Sequence, residues 1–359
     1  MNRHIPLIIS EGTPFERGLH LGRAAREHVL HTVRSYMVIF RAAAGLRHKG
    51  VLAQAERFLP VIADYAPSLL DEMRGIAEGA GCDLREIVAV NARTELMYGI
   101  TNRHECTAVA VSGPASADGH VRLAQNWDWH PSLAGSLVLW AVQRNKGQHV
   151  LTLTEAGIVG KVGINSAGLA MCINLLLSDE DYAGPAVPMH VILRHILDEA
   201  SSINDALNVI AQTERCTSCN HLFADHAGEI ADVEATPMGH AVERTRNGVL
   251  VHANHCHGRH LVAGDRYVRD YPESLDRDAR MQSMVGEGSI NEARLQAMFA
   301  DHANSPNTIC HHPDKQGSFV EQSESIASII FDLTAGTLDL SDGPPCEYPY
   351  QRYAIAAYL

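Results

Sequence analysis

The sequence has no long apolar run. A membrane-spanning helix needs about 20 consecutive apolar residues, and no stretch approaches that length, so a membrane-embedded function is set aside. Met1-Asn2-Arg3-His4-Ile5-Pro6 lacks the apolar core of a secretory signal, which points to the cytoplasm. Positive charge is in deficit: 29 Lys and Arg stand against 42 Asp and Glu, a formal net charge of −13. That balance argues against nucleic acid or an anionic membrane as the main partner. Internal repeats and low-complexity linkers are also missing. The eight cysteines are scattered, and a chain of 359 residues needs no disulfide staples, so reduced thiols are the expectation.

What is present reads as an ordinary globular chain, 46% hydrophobic and 20% charged, long enough for one large domain or two ordinary ones. Residues 1–105 read as mostly helical. Apolar residues recur at helical spacing from Glu16 to Gly45, and a second helical stretch runs from Val51 to Tyr65. Ser68 is placed to cap a third, ending at Gly79 to Gly81, and Asp83 with Glu86 forms a capping box for a helix through Val90 to about Met97. Arg93 and Glu95 read as packing or surface residues.

At Cys106 the texture changes. Thr107 to Val111 reads as a strand, Asp118-Gly119 as a hairpin turn, and Val121 to Asn126 as the returning strand. Further strands are expected over 137–143, 149–154, 157–164 and 168–175. Two helices follow, over 187–200 and from Ile203 to about Ala211, the second capped by Ser202. Strands resume over 221–225, 230–234, 240–244 and 249–254; helices cover 266–284 and 290–299, and strands 325–332 and 337–340 close the chain. Strand runs alternating with helix pairs predict antiparallel sheets covered by helices, an α+β fold, with the boundary at Cys106.

Taken alone, a cysteine is most often a buried packing residue. Cys106 has more: it sits where helix gives way to strand, and Asn126-Trp127-Asp128-Trp129 lies one hairpin later. A turn at Asp118-Gly119 places the partner of Thr107 near residue 130, which brings Asp128 beside Cys106. A cysteine at a chain N-terminus carries its own base, since an α-amino group has a pKa of about 7.7–8.0. Self-cleavage before Cys106 would therefore expose the terminus and switch on the enzyme. Asp128 would support the amine as the third member of a triad does. Trp127 and Trp129 lie on the strand face opposite Asp128 and are expected in the core.

These features, with Glu16-Arg17-Gly18 and Gly22, Glu72 to Gly79, Asn91-Ala92-Arg93-Thr94-Glu95, Cys106-Thr107-Ala108, Gln125 to Trp129, Val251 to His255 and Gly343-Pro344-Pro345-Cys346, resemble the isopenicillin N acyltransferase family. These are autoproteolytic cysteine acyltransferases and amidases among the N-terminal-nucleophile hydrolases. The resemblance implies a four-layer αββα sandwich. It implies cleavage between Glu105 and Cys106 into an α chain (1–105) and a catalytic β chain (106–359) that remain associated. It further implies Cys106 as nucleophile, Asp128 as its support and Asn254 as oxyanion donor, with Thr107, Ala108, Ser218 and Asn220 as further polar contacts near the substrate. The expected substrate is a small amide or acyl compound, hydrolysed or passed to an amine, with acyl-CoA-dependent transfer as the alternative. The sequence is compatible with a homo-oligomer.

Two departures stand out. Glu105 precedes the nucleophile where the penicillin-pathway member has glycine. Val320-Glu321-Gln322-Ser323 holds no arginine where that enzyme has one, so recognition of a substrate anion there is not expected.

Histidine and cysteine clusters offer a reading from another class. Cys216 and Cys219, the group His252, His255, Cys256, His257 and His260, and Cys310-His311-His312 supply zinc-type donors. Under that reading the chain is a zinc-stabilised binding protein without catalysis, and Cys106 is merely buried. The spacings form no matched pair, so neither a cofactor nor a metal is expected.

Overall fold

The structure is a computed structural model that describes residues 4–97, 106–314 and 316–359. The expected cleavage residue Glu105 lies outside them. The N-terminal segment opens with a strand, β1 (Leu7–Gly12), followed by α1 (Pro14–Ala24), α2 (Arg26–Ala44), α3 (His48–Glu56), α4 (Leu59–Tyr65), α5 (Pro67–Ala80), α6 (Leu84–Asn91) and α7 (Arg93–Leu96). The expected helix over 16–45 is two helices, because the chain bends at Ala25 (φ −110°). Ser68 does not cap α5; Pro67 occupies its first turn and the cap position is Ala66. The Asp83–Glu86 capping box forms as expected.

After Cys106 come β2 (Cys106–Val111), β3 (Arg122–Trp129), β4 (Leu137–Arg144), β5 (Val150–Glu155), β6 (Val162–Asn165) and β7 (Leu169–Leu175). Then follow α8 (Met189–Glu199), α9 (Ile203–Gln212), β8 (Cys219–Asp225), β9 (Ile230–Thr236), β10 (Gly239–Glu243) and β11 (Val249–His252). The chain ends with α10 (Arg266–Asp270), α11 (Glu273–Gly286), α12 (Glu292–Phe299), β12 (Glu324–Asp332), β13 (Thr337–Ser341) and β14 (Tyr350–Ala354).

Among the described residues the strands form two sheets. One has the order β1-β4-β5-β6-β7-β8-β9-β10, the other β11-β2-β3-β12-β13-β14. All pairings are antiparallel except β1 with β4, which is parallel and places a strand of the N-terminal segment at the sheet edge. The sheets face each other through β2, β3, β7 and β8. Helices α2, α8 and α9 cover the outer face of the first sheet, and α11 and α12 that of the second. This is the expected four-layer αββα sandwich.

Side-chain alternation splits the central strands between two cores. Ala108, Ala110, Leu123, Trp127 and Trp129 pack between the sheets. Val109, Val111 and Ala124 face outward onto Met281, Met284, Leu295 and Phe299 of α11 and α12. In the helical layer α1 packs on α5 through glycines. A Cβ at Gly18 would lie 1.9 Å from the Glu72 carbonyl oxygen, and one at Gly75 2.1 Å from that of Phe15, so only glycine permits this approach. No helix among the described residues is long and apolar enough to cross a membrane.

Candidate active site

Cys106 is the first residue of β2 and is 6% exposed. It pairs with Trp127, and Thr107 pairs with Asn126. The expected partner of Thr107, near residue 130, is thus displaced by about four residues. The connection is no tight hairpin centred on Asp118-Gly119: a 3-10 turn (Gly113–Ala115) precedes it, and Ser116 bridges to Ile290. Asp118 instead holds the base of the return strand through two bonds of 2.8 Å from the Arg122 guanidinium.

Asp128 still comes next to Cys106, but by its backbone. The Asp128 N–H bonds the Cys106 sulfur, while the side chain of Asp128 turns to the outer face, where Ser325 Oγ donates to Oδ1 at 2.5 Å. On that face Asn126 Nδ2 donates to the carbonyls of Phe299 and Ile309, each at 2.9 Å. Trp127 and Trp129 are in the core as expected, and Trp127 shares the face of Cys106.

Asn254, just beyond β11, lies at the start of β2. The Cys106 N–H donates to Asn254 Oδ1 at 2.8 Å, and Asn254 Nδ2 donates to the Leu175 carbonyl at 2.9 Å. An amide NH2 has two hydrogens, so a second remains for a ligand. Ser274 Oγ accepts from the Asn254 N–H at 2.8 Å and fixes the turn.

Two residues at this centre were not singled out from sequence. Arg277 of α11, fully buried, donates Nη1 to the Cys106 carbonyl (2.6 Å) and to Thr107 Oγ1 (3.2 Å), and Nη2 to Asn254 Oδ1 (3.0 Å). Lys161, 3% exposed, lies with Nζ 3.3 Å from the Trp127 ring centroid and 5.1 Å from that of Trp129. Nothing distinguishes Arg277 among the charges of Asp276-Arg277-Asp278. Lys161 did leave a signal: it is a lone charge inside the apolar run Gly157 to Ile164.

Burial dominates the electrostatics. It pushes the Cys106 thiol up to about 11, opposed by the Lys161 charge. It brings the Lys161 ammonium down to about 7 against the pull of Glu155. Arg93 stacks over Trp129 at 3.9 Å, with its Nε 3.7 Å from Glu155, and Glu95 accepts from Met189 N and Thr217 Oγ1. The helical segment therefore contributes buried charge beside the face that carries Cys106. Asn91 links the two parts as well: its Oδ1 accepts from Val159 N, and its Nδ2 donates to the Gly157 carbonyl, positioning the loop that leads to Lys161.

The remaining expected contacts are spread out. Ala108 sits mid-strand between Gln125 and His252, with ladder partners on both sides. Ser218 Oγ donates to Asp181 Oδ1 at 2.6 Å. Asn220 lies on β8 between Asn174 and Glu234. Among the described residues Cys216 and Cys219 join no metal-type cluster; their thiols donate to the carbonyls of Gly184 and Asn220.

The profile of the acyl-coenzyme A:6-aminopenicillanic acid acyl-transferase family matches residues 116–345. The chain is 29% identical over 334 residues to the 40 kDa form of acyl-coenzyme A:6-aminopenicillanic-acid-acyltransferase of Emericella nidulans, covering 90% of this chain and 89% of that one. Similar solved structures include a variant of conjugated bile acid hydrolase from Clostridium perfringens (TM-score 0.46, 15% identity, 70% of this chain and 93% of that chain). Another is penicillin V acylase from Agrobacterium tumefaciens (TM-score 0.43, 16% identity, 66% and 82%). Family membership overturns the reading of a binding protein without catalysis. The chain belongs to the acyl-coenzyme A:6-aminopenicillanic acid acyl-transferase family and is an enzyme of acyl transfer or amide hydrolysis.

Proposed function

We infer that this protein is an autoprocessed cysteine amidohydrolase or acyltransferase whose nucleophile is Cys106. The observation that carries the reading is the arrangement at the start of β2: the Cys106 N–H on Asn254, its carbonyl on Arg277, its sulfur beside the Asp128 backbone. Processing begins when Cys106 Sγ attacks the Glu105 carbonyl. The C–N bond breaks, the nitrogen takes a proton, and a thioester joins Glu105 to the sulfur. Water hydrolyses the thioester, leaving the Glu105 carboxylate, a free thiol and a new α-amine.

In the uncleaved chain burial holds the sulfur as the neutral thiol. The liberated amine supplies the missing base. It takes the thiol proton as the sulfur attacks the substrate carbonyl, and returns it to the leaving amine. The spare Asn254 N–H stabilises the tetrahedral oxyanion. Arg277 holds the Asn254 oxygen and the Cys106 carbonyl, so the donor points consistently. The acyl-enzyme then passes its acyl group to water or to an amine. Transfer from acyl-CoA to an amine is the second reading, favoured by the match to the Emericella nidulans acyltransferase along 90% of the chain. The eight free thiols fit a reducing compartment, and we place the enzyme in the cytoplasm.

An intact-mass spectrum under denaturing conditions tests the reading. Cleavage splits 39.1 kDa into about 11 and about 28 kDa, in proportion to 105 and 254 of 359 residues. Both pieces should be missing in Cys106→Ala, and activity on small amides and acyl thioesters should vanish with them. A processed, fully active Cys106→Ala variant would sink the mechanism.

A further inference from the structure

Four donors from three parts of the C-terminal region meet behind the catalytic strands. His302 follows α12, Cys310 and His312 lie on the segment leading to β12, and Cys346 lies between β13 and β14. The Cys310 and Cys346 sulfurs are 3.5 Å apart. His312 Nε2 is 3.2 Å from Cys346 Sγ and 3.9 Å from Cys310 Sγ, and His302 Nε2 is 3.1 Å from His312 Nε2. All four donor atoms lie within 4.8 Å of one another.

Those four separations correspond to four of the six edges of a zinc tetrahedron. With Zn–S of about 2.3 Å and Zn–N of about 2.0–2.1 Å, tetrahedral geometry puts S···S at about 3.8 Å, S···N at about 3.5 Å and N···N at about 3.3 Å. Each of the four measured edges falls within about 0.4 Å of its ideal. The surroundings fit as well. The Glu347 carboxylate lies 3.6 Å from Nδ1 of His312, the ring nitrogen not facing the cluster, as a carboxylate that orients a metal-bound imidazole does.

We propose that His302, Cys310, His312 and Cys346 bind one zinc ion in a closed, structural site. Four protein donors leave no open position for substrate, so the ion braces rather than reacts. Binding releases the two thiol protons to solvent, and the two thiolates balance the charge of Zn²⁺. The brace has a clear object. Asn126 holds the Phe299 and Ile309 carbonyls at the two ends of the clamped segment. His311, between two ligands, donates its N–H to Ser325 Oγ, which in turn donates to Asp128. The zinc would thus hold the support beneath Asp128. This departs from the expectation of a metal-free chain, and it uses neither Cys216 nor Cys219. A second cluster, Asp232, Glu234, His252 and His257, is already knit together: Glu234 accepts from His252 Nε2, from His257 N and from Gly258 N. It contains no sulfur, which lets experiment tell the two apart.

The test is elemental analysis of the full chain purified under reducing conditions without chelator, paired with cobalt substitution. The expected result is one zinc per chain. Cobalt should give thiolate charge-transfer absorption and tetrahedral visible bands in the wild type and in Glu234→Gln, and neither in Cys346→Ser. Cys346 is exposed, so that variant should keep its fold, checked by circular dichroism. A folded wild-type chain that stays without zinc after dialysis against it, and whose cobalt form lacks thiolate bands, would overturn the proposal. So would a Cys310–Cys346 disulfide in the protein as purified.

Discussion

Asn254 Oδ1 accepts from the Cys106 N–H at 2.8 Å and from Arg277 Nη2 at 3.0 Å, so the amide's oxygen is fully engaged and its nitrogen faces the other way. That orientation predicts the behaviour of two variants. Asn254→Asp keeps the acceptor and loses the N–H donor; Asn254→Ala loses both. If the donor serves the oxyanion, each should lower kcat/KM about 10²–10³-fold, the usual effect of losing one such donor. Steady-state kinetics on an amide substrate check this. Wild-type rates in Asn254→Asp would assign the residue to holding the Cys106 amide alone.

Arg277 spans the Cys106 carbonyl, Thr107 Oγ1 and Asn254 Oδ1 with two nitrogens of one planar group. A lysine ammonium is a single point and cannot reproduce the fork. Arg277→Lys should therefore slow both processing and turnover by about tenfold or more through mispositioning, while retaining the charge. The time course of fragment appearance after a denaturation–refolding jump measures the first effect, and kcat the second. Equal rates in the two proteins would show that charge, not geometry, is what the site needs.

How far the sequence disclosed this site depends on the distance over which each feature is encoded. Cys106 and Asp128 lie on consecutive paired strands, and their nearness was legible from antiparallel pairing about the expected turn. The register was not, because Ser112-Gly113-Pro114 is itself a turn signal, and the 3-10 turn formed there moves the centre of the connection about two residues ahead of Asp118-Gly119. The order of helix and strand patterns gave antiparallel sheets covered by helices; the count of four layers came from the family resemblance. The strands β1 and β14 were missed: β1 borrows its partner from β4, some 130 residues away, and β14 is half-exposed with little apolar alternation. Arg277 and Cys346 reach their partners only through tertiary folding, so no local spacing announces them. Lys161 was visible as a charge in an apolar run, a conflict between local pattern and burial that marks functional sites.

Lys161 should also leave a mark on the pH dependence of stability. Burial brings its ammonium to about 7 in the folded chain, against about 10.4 when unfolded. Between those values the unfolded chain binds more protons, so this group's contribution to stability rises with pH from about 7 to about 10. Lys161→Met removes the ionisation and should flatten that rise. Urea unfolding of the two proteins across pH 6 to about 10 gives the difference slope. Parallel curves for variant and wild type would mean that Lys161 keeps an ordinary affinity for its proton.

The glycine contact between α1 and α5 predicts a purely steric loss. A methyl at Gly75 would meet the Phe15 carbonyl oxygen at 2.1 Å and the Leu19 nitrogen at 2.7 Å, both backbone atoms that cannot rotate aside. Overpacking of this kind costs about 1–3 kcal/mol and occasionally more. Gly75→Ala, studied in a Cys106→Ala background to keep one intact chain, should therefore lower the urea midpoint measurably. Gly45→Ala makes the contrast: that glycine has no neighbour in its way and a φ of +65°, so any loss there comes from backbone strain at a helix end.

Glu72 sits where a cut before Cys106 would be bridged by side chains alone. Its carboxylate is fully buried between Arg17 Nη2 (2.9 Å) and Arg194 Nη1 (2.7 Å), and Arg194 Nε also pairs with Asp198 at 2.9 Å. Glu72 and Arg17 belong to the segment before Cys106, whereas Arg194 and Asp198 belong to α8 beyond it. The network therefore crosses the proposed cut without depending on the peptide bond there. The processed pieces should co-elute in gel filtration under native conditions and separate only in denaturant. Glu72→Ala would leave the buried Arg17 with the Gly12 carbonyl and the buried Arg194 with Asp198 and the Val159 carbonyl, and breaking a buried pair in this way costs about 3–5 kcal/mol. That loss should appear as release of the smaller piece at lower urea than in the processed wild type. Pieces that part spontaneously in the wild type would show that the helical segment is shed as a leader, and that its buried charges do not belong to the working site.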